Sequence, residues 1–456
     1  MRKSPKKGSQ RGTSAPSPSL ANERLVQVGV IGLGTVGKGT VGVLLDHQKE
    51  LERRLGGRLV LKTVCSRTIH RRNLSWMGRK VETKNNWRDV VSDPDIDIIV
   101  ELVGQPKTAL AIARATIKRG KHFVTANKFL VAEHGVDLFR LSQQQNVSLG
   151  IEACVAGGTP VLHAIREGLA GESFTAVYGI LNGTTNYILT EMERRGCDYQ
   201  EALKEAQQKG YAEPDPAFDV EGYDARYKIA ILSMVCFGAE IRAADTPVEG
   251  ITRINPIDFT YAHKLGYTIR LIAAARRLRS GKLEISTGPW MVPRNSVLAR
   301  VTGADMGLVL VGSKGGTTLY SGQGAGGDPT GVAVISDVVG IARMILAGAG
   351  SKSFLGYESW NPVRIASPDE TPQGAYVRFV IRDRPGILAK AAGIFARYKI
   401  NIDAVLQEPG LPKNRLPFVM TLEPTPGKQL RKALAAMRKL PFMVEPPLMI
   451  PFAELP

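Results

Sequence analysis

Seven residues at 25–31, LVQVGVI, form a short apolar run whose length and β-branched content predict a buried strand. Apolar positions then recur at helical spacing through Leu45. Residues 59–65, LVLKTVC, and 96–103, IDIIVELV, read as further strands, the latter ending at Gly104. Residues 108–119 read as a helix closed by Gly120, and 122–126 as a strand ending in Asn127-Lys128. Strands alternating with helices predict βαβ units and a parallel sheet. After Gly150 the pattern changes. Residues 151–160 start like a strand and pass into a small-residue loop, with a helix expected from Val161. GILNGTTNYIL at 179–189 reads as a polar turn at a strand-to-helix junction, and 229–237 as an apolar helix. Alternation with Gly/Pro punctuation over 280–320 predicts an antiparallel sheet. A second glycine loop, SGQGAGG at 321–327, precedes a helix at 330–346. From 375 the order is strand, helix (387–398), strands (400–407, 417–423), helix (427–438) and strand (442–450). That βαββαβ order is the ferredoxin-like split βαβ pattern.

The predicted organisation is an α/β domain with a Rossmann-type parallel sheet at 23–150 and an α+β domain at 151–320. A linker at 367–373 and a ferredoxin-like domain at 374–456 follow. Composition changes this picture little. With 43% hydrophobic and 22% charged residues the chain is of ordinary globular type. No continuous apolar run reaches the ~18–20 residues that span a bilayer. Four scattered cysteines make neither a disulfide framework nor a metal spacing, which points to a reducing, cytoplasmic setting. The net charge of +18 invites a nucleic-acid reading. It gathers in short clusters with few interleaved aromatic residues, so an anionic small molecule is the better partner. Residues 1–22 are basic, Ser/Pro-rich and free of acids, and lack the apolar core of a secretory signal. A disordered tail is expected, with an organelle transit peptide as the alternative.

Gly32-Leu33-Gly34-Thr35-Val36-Gly37 directly follows the first predicted strand and opens a helix. In that context the glycines serve the tight turn, the approach of backbone to a pyrophosphate, and close helix–strand packing. The phosphate then rests on the helix N-terminus. An NAD site usually has an acid near the end of the second strand, to bind the ribose 2′-OH. Here Ser66-Arg67-Thr68 and then His70-Arg71-Arg72 stand there, so NADP is favoured over NAD, with Arg67 the best candidate for the 2′-phosphate and a basic surface loop as the plainer alternative. Gly104 and Lys128, at the ends of later strands, face the same crevice.

The segment at 210–228, GYAEPDPAFDVEGYDARYK, gathers five carboxylates in a basic protein. Pro214 and Pro216 hold Glu213 and Asp215 on a turn. Asp224 and Lys228 lie four apart and share a helix face. A lysine beside carboxylates is a candidate proton donor, and carboxylates can hold an amino group. The plainer alternative is a solvated acidic loop with an i,i+4 ion pair.

GLGTVG at 32–37, TANK at 125–128, EACVAGGTP at 152–160, GILNGTTNYIL at 179–189, the acidic segment and the DRPG turn at 383–386 together resemble the homoserine dehydrogenase family, in its monofunctional form with a C-terminal ACT domain. The resemblance covers roughly residues 25–450. It implies reversible NAD(P)H-dependent reduction of L-aspartate 4-semialdehyde to L-homoserine. It implies Lys228 as proton donor with Asp224 beside it, and Lys128 near nicotinamide and substrate. Glu213, Asp219 and Thr184 become substrate-binding residues. Gly210, Gly324 and Gly326 join the cofactor-binding set. Glu152 and the backbone of Val155, Gly157 and Thr159 become a monovalent-cation site, for Na⁺. Residues 23–150, completed by about 321–350, become the NAD(P)-binding Rossmann domain, residues 151–320 become a catalytic and dimerisation domain in a homodimer or homotetramer, and the ACT domain binds an amino-acid effector, threonine. Two rivals stand beside this reading. One is an acyl-phosphate-forming semialdehyde dehydrogenase using Cys154 as nucleophile, and the other is an NADP-binding sensor without catalysis.

Overall fold

A computed structural model describes residues 25–78, 80–349, 357, 359–360 and 362–455. The basic tail lies outside the described residues. Six strands form the first sheet: β1 (Leu25–Ile31), β2 (Arg58–Cys65), β3 (Glu82–Lys84), β4 (Ile98–Glu101), β5 (His122–Thr125) and β6 (Leu149–Gly150). All pair in parallel, in the order β3-β2-β1-β4-β5-β6. The order reverses at β1, so the crevice at the carboxyl ends of β1 and β4 is the topological switch point where ligands bind. The expected strand at 96–103 is shorter. Beyond Glu101 the backbone leaves the sheet, and the Glu101 carboxylate takes the Val103 N–H at 2.5 Å.

The helix Gly327–Ala347 completes this unit although it comes late in the chain. A Cβ on Gly39 would sit 2.2 Å from the Gly327 carbonyl oxygen, and one on Gly331 2.7 Å from backbone at Gly39. Only glycine permits that approach. The helix is long and apolar enough to cross a membrane, yet half of it is buried. It also carries the fully buried Asp337, so its apolar face serves the core. It shares one core with Val26, Val28, Leu44, Leu59 and Ile98.

The second sheet is antiparallel: β7 (Phe174–Ile180), β8 (Tyr267–Arg277), β9 (Leu283–Pro293), β10 (Asp305–Gly312) and β11 (Thr317–Gln323), in the order β11-β10-β7-β8-β9. The alternation read at 280–320 covers only part of it, because β7 joins from far upstream and sits centrally. The helix expected from Val161 is broken. Val161–His163 is α-helical and Ala164–Gly168 widens to a π turn. The apolar helix begins earlier than its apolar run, at Tyr223, and runs to Phe237.

The third sheet contains β12 (Pro372–Ile381), β13 (Ile402–Leu406), β14 (Leu416–Pro426) and β15 (Leu448–Pro451), in the antiparallel order β13-β14-β12-β15. Helices Ile387–Arg397 and Gly427–Met437 complete the βαββαβ unit. The last strand starts at Leu448 rather than near 442, since Pro446 and Pro447 supply no N–H to a sheet. This unit docks through a buried polar contact. The Asp258 carboxylate, 0% exposed, accepts from Tyr376 Oη at 2.7 Å and from the Arg378 guanidinium. Asp258 also closes a capping box on the helix Pro256–Lys264.

Candidate functional site

The Gly-rich turn is built as its sequence requires. Gly32 has φ 110°, and a Cβ there would lie 2.4 Å from the Leu102 carbonyl oxygen. A Cβ on Gly37 would lie 2.1 Å from the Gly32 carbonyl oxygen. Gly34 differs: no atom lies within 4 Å of its Cβ position. It precedes the helix Thr35–Asp46, whose N-terminus has no side-chain cap, so Thr35 and Val36 begin a helix with free amides. Open space over uncapped N–H groups fits a phosphate. Arg67 lies exposed just past β2. Arg72, from the basic run after Thr68, reaches back and donates to the Leu33 carbonyl at 2.6 Å.

On the opposite wall Gly104 is open, with nothing within 4 Å of its Cβ position. Glu101 lies fully buried below it and accepts from Thr125 Oγ1 at 2.7 Å. Burial pushes its carboxyl up to about 7. Asn127 Nδ2 donates to the Val103 carbonyl at 3.0 Å, while its Oδ1 caps the helix Lys128–Gln144 by accepting from Leu130 N–H. This network ties the ends of β4 and β5 together and sets where Lys128 emerges. The small-residue loop at 151–160 meets the second glycine loop: a Cβ on Gly157 would lie 2.8 Å from the Gly324 carbonyl oxygen. Gly326 caps the helix Gly327–Ala347 at φ 129°, and Gly210 makes an open turn at φ 77°.

The charged centre is the side chain of Asp224. Its Oδ2 accepts from Lys228 Nζ at 2.8 Å, and its Oδ1 lies 2.8 Å from Lys128 Nζ. Lys228 Nζ also donates to the Leu181 carbonyl at 2.7 Å. Asp224 is 4% and Lys228 9% exposed. Burial pushes the Asp224 carboxyl upward, but Lys228 and Lys128 outweigh it and hold the group well below the usual carboxylate range. Lys128 also lies 5.5 and 5.4 Å from the ring centres of Phe129 and Phe218.

Asp219 joins this centre through Asn182, whose Nδ2 donates to Asp219 Oδ1 at 2.8 Å and to Asp224 Oδ2 at 2.9 Å. Thr184 Oγ1 contacts Asp219 Oδ2 at 3.1 Å and donates to the Tyr211 carbonyl at 2.6 Å. Burial, and then the Asp224 charge, raise the Asp219 carboxyl. Glu213 is not part of the cluster. It is exposed on the turn, where its backbone carbonyl accepts from Gln207 Nε2 at 3.2 Å. Arg226 stacks over Tyr223 and Tyr227 at 5.3 and 5.8 Å from their ring centres.

Glu152 is 1% exposed, and its two carboxylate oxygens take the N–H groups of Leu162 at 3.0 Å and His163 at 2.7 Å. His163 Nε2 lies 3.0 Å from Asp337 Oδ1, and Asp337 Oδ2 accepts the Glu152 N–H at 2.8 Å. Burial pushes the Glu152 carboxyl up to about 7, with the nearby His163 acting against it. Val155, Gly157 and Thr159 lie in the turn that follows. That turn is held by Thr159 N–H to the Ala156 carbonyl at 2.6 Å, with Ala156 at φ 56°. Cys154 is a poor nucleophile. Burial, and the Asp337 charge after it, push its thiol well up, and its Sγ–H points to the Thr125 carbonyl at 3.4 Å.

Sequence reasoning missed Asn182, Glu101, His163 and Asp337. Asn182 alone had a usable signal, as the polar residue preceding a helix in the 179–189 turn. The other three act across long sequence separations.

Family models match three consecutive regions. They are "Homoserine dehydrogenase, NAD binding domain" at 32–152, "Homoserine dehydrogenase" at 160–339 and "ACT domain" at 375–442. A homoserine dehydrogenase of Neisseria gonorrhoeae is 36% identical over 435 residues, covering 94% of this chain and 99% of that one. One from Pseudomonas aeruginosa is 35% identical, over 91% of this chain and 96% of the relative. The crystal structure of a homoserine dehydrogenase from Thiobacillus denitrificans superposes with a TM-score of 0.88 at 35% identity, over 95% of this chain and 99% of that one. With its parallel nucleotide-binding sheet, antiparallel second sheet and ACT unit, this chain belongs to the homoserine dehydrogenase family, NAD(P)-dependent oxidoreductases acting on a CH–OH group.

Proposed function

We propose that the chain reduces L-aspartate 4-semialdehyde to L-homoserine, reversibly, with Lys228 as the proton donor. The observation that carries this is the Lys228–Asp224–Lys128 arrangement at the mouth of the nucleotide crevice, with Asp224 and Lys228 buried and Lys128 half-buried. The bound reduced nicotinamide supplies the hydride to the aldehyde carbon. As the C=O π pair moves to oxygen, an ammonium within hydrogen-bond reach stabilises the growing charge and delivers its proton. Lys228 regains a proton from solvent. Asp224 fixes the Lys228 and Lys128 side chains between its two oxygens, so its role is orientation. Glu213, exposed on the turn, would take the substrate ammonium as a charge-assisted partner. Asp219 and Thr184 line the same floor.

NADP is the preferred cofactor in this reading. No acid stands in Ser66-Arg67-Thr68 after β2, and the exposed Arg67 suits a 2′-phosphate. Exchange of Arg67 for Glu should lower the NADP-to-NAD ratio of kcat/KM at least ~10-fold, since a charge-assisted pair is lost. An unchanged ratio refutes the assignment.

The Glu152 carboxylate and the carbonyls of Val155, Gly157 and Thr159 are an all-oxygen donor set, which suits an alkali cation rather than a transition metal. Such an ion would brace the 152–159 turn against the second glycine loop. The ACT unit would bind threonine between paired copies in a homodimer or homotetramer, placing the enzyme under feedback in threonine, methionine and isoleucine biosynthesis. NADPH oxidation with aspartate semialdehyde, with and without threonine, tests activity and regulation together.

A further inference from the structure

The two carboxylates of the charged centre share one neutral donor. Asn182 is 5% exposed, on the turn between β7 and the helix Gly183–Arg195. Its Nδ2 gives one hydrogen to Asp219 Oδ1 at 2.8 Å and the other to Asp224 Oδ2 at 2.9 Å. Its Oδ1 accepts from Thr185 N–H at 2.8 Å and from Thr185 Oγ1 at 2.9 Å. The amide orientation is fixed by this pattern, because a flipped amide would set oxygen against two carboxylates and nitrogen against an N–H.

We propose that Asn182 is a positioning residue for proton transfer, keeping Asp219 and Asp224 as separate acceptors so that Asp224 Oδ2 stays on Lys228. Two carboxylates brought to one site relieve their repulsion most cheaply by sharing a proton. Asp219 is the one that would take it, since burial and the Asp224 charge already raise its carboxyl. Lys128 and Lys228 both face Asp224, and the Thr184 hydroxyl faces Asp219. With a proton on Asp219, its new O–H would compete with Lys228 for Asp224. Lys228 would then lose the hydrogen bond that aims it, while keeping the one to the Leu181 carbonyl. The two hydrogens of Asn182 bond both carboxylates in their charged form at once, and that favours two ionised groups over a shared proton.

This inference rests on Lys228 as proton donor, and the test separates the two. Asn182→Ser keeps an oxygen to cap the helix but loses the two-pronged donor. Asn182→Asp keeps size and cap but is acceptor-only. The full-length variants are assayed for kcat and KM in NADP-dependent homoserine oxidation across pH, with melting temperature and NADPH binding measured alongside. The expected result for Asn182→Ser is a kcat at least ~10-fold lower at near-normal melting temperature and cofactor affinity, with the acid limb of the kcat profile moved to higher pH. Asn182→Asp should move that limb further, and it supplies the reading if the serine variant does not fold. A folded variant with kcat within ~3-fold of the parent and an unmoved acid limb overturns the proposal. Lys228→Met distinguishes the two failures. Normal turnover in that variant removes the proton-donor reading, whereas impaired turnover beside a normal Asn182→Ser removes only the role of Asn182.

Discussion

Replacing Lys228 by Met deletes one ammonium from the charged centre while nearly keeping its volume. Two hydrogen bonds vanish, to Asp224 Oδ2 and to the Leu181 carbonyl. Asp224 still has Lys128 at 2.8 Å and Asn182 at 2.9 Å, so it remains ionised and the cluster does not collapse. The orphaned Leu181 carbonyl costs about 1–3 kcal/mol of stability. Loss of the general acid is the larger effect on rate, ~10²–10⁴-fold in kcat, which is ~3–5 kcal/mol of barrier. Initial rates of homoserine oxidation and semialdehyde reduction, with NADPH binding by fluorescence, separate chemistry from cofactor affinity. Lys228→Arg sharpens the test. It restores a charge for Asp224 and Leu181, and hence stability, but arginine does not give up its proton. The reasoning predicts a folded Arg variant with kcat nearly as low as that of Met. Full turnover by the Arg variant, or a kcat within ~10-fold of the parent for Met, would falsify proton transfer by Lys228.

Glu213→Leu should raise KM for homoserine ~10–100-fold with little change in kcat, the scale of one lost charged hydrogen bond; an unmoved KM removes Glu213 from the substrate site. Asp258→Asn strips the charge opposing the buried Arg378 and should cost ~3–5 kcal/mol in urea unfolding. Adding Arg378→Met should recover part of that loss, and purely additive losses would contradict the coupling. His122 is half-buried, and its Nδ1 accepts the Ser148 N–H at 3.0 Å. Burial depresses its pKa to about 4. Between about 6.5 and 4 the unfolded chain binds a proton that the folded chain refuses, so stability falls as pH drops through that window, by about 3 kcal/mol in all. In His122→Gln that contribution disappears, and the difference between the two proteins' stability curves should slope across pH 4–6.5. A flat difference would show that His122 is not the group responsible.

Local pattern carried much of the architecture because parallel βαβ units and the C-terminal βαββαβ unit leave period and punctuation in the sequence. The Gly-rich turn and the Asp224–Lys228 pair were legible for the same reason, since each lies within a few residues on one element. Asp337 was not, because its partner Glu152 lies 185 positions away. Arg72 reaches Leu33 over 39 positions, and Glu101 meets Thr125 over 24. These contacts exist only once sheet order is set. Boundaries failed where side chains compete with backbone, as at Glu101, or where prolines interrupt a run, as at Pro446-Pro447.

The late helix Gly327–Ala347 has a consequence for how the protein is made. The nucleotide-binding sheet is synthesised by residue 150, yet one face of it is only partly covered until this helix leaves the ribosome. At ~5–20 residues per second the wait is ~10–40 s. During that interval Val26, Val28, Leu44 and Leu59 lack part of the surface they finally bury against. The first half of the chain therefore exposes apolar surface during translation, and a fragment ending before residue 327 should be recovered in inclusion bodies. Joining the 327–347 helix to the end of such a fragment should return it to solution.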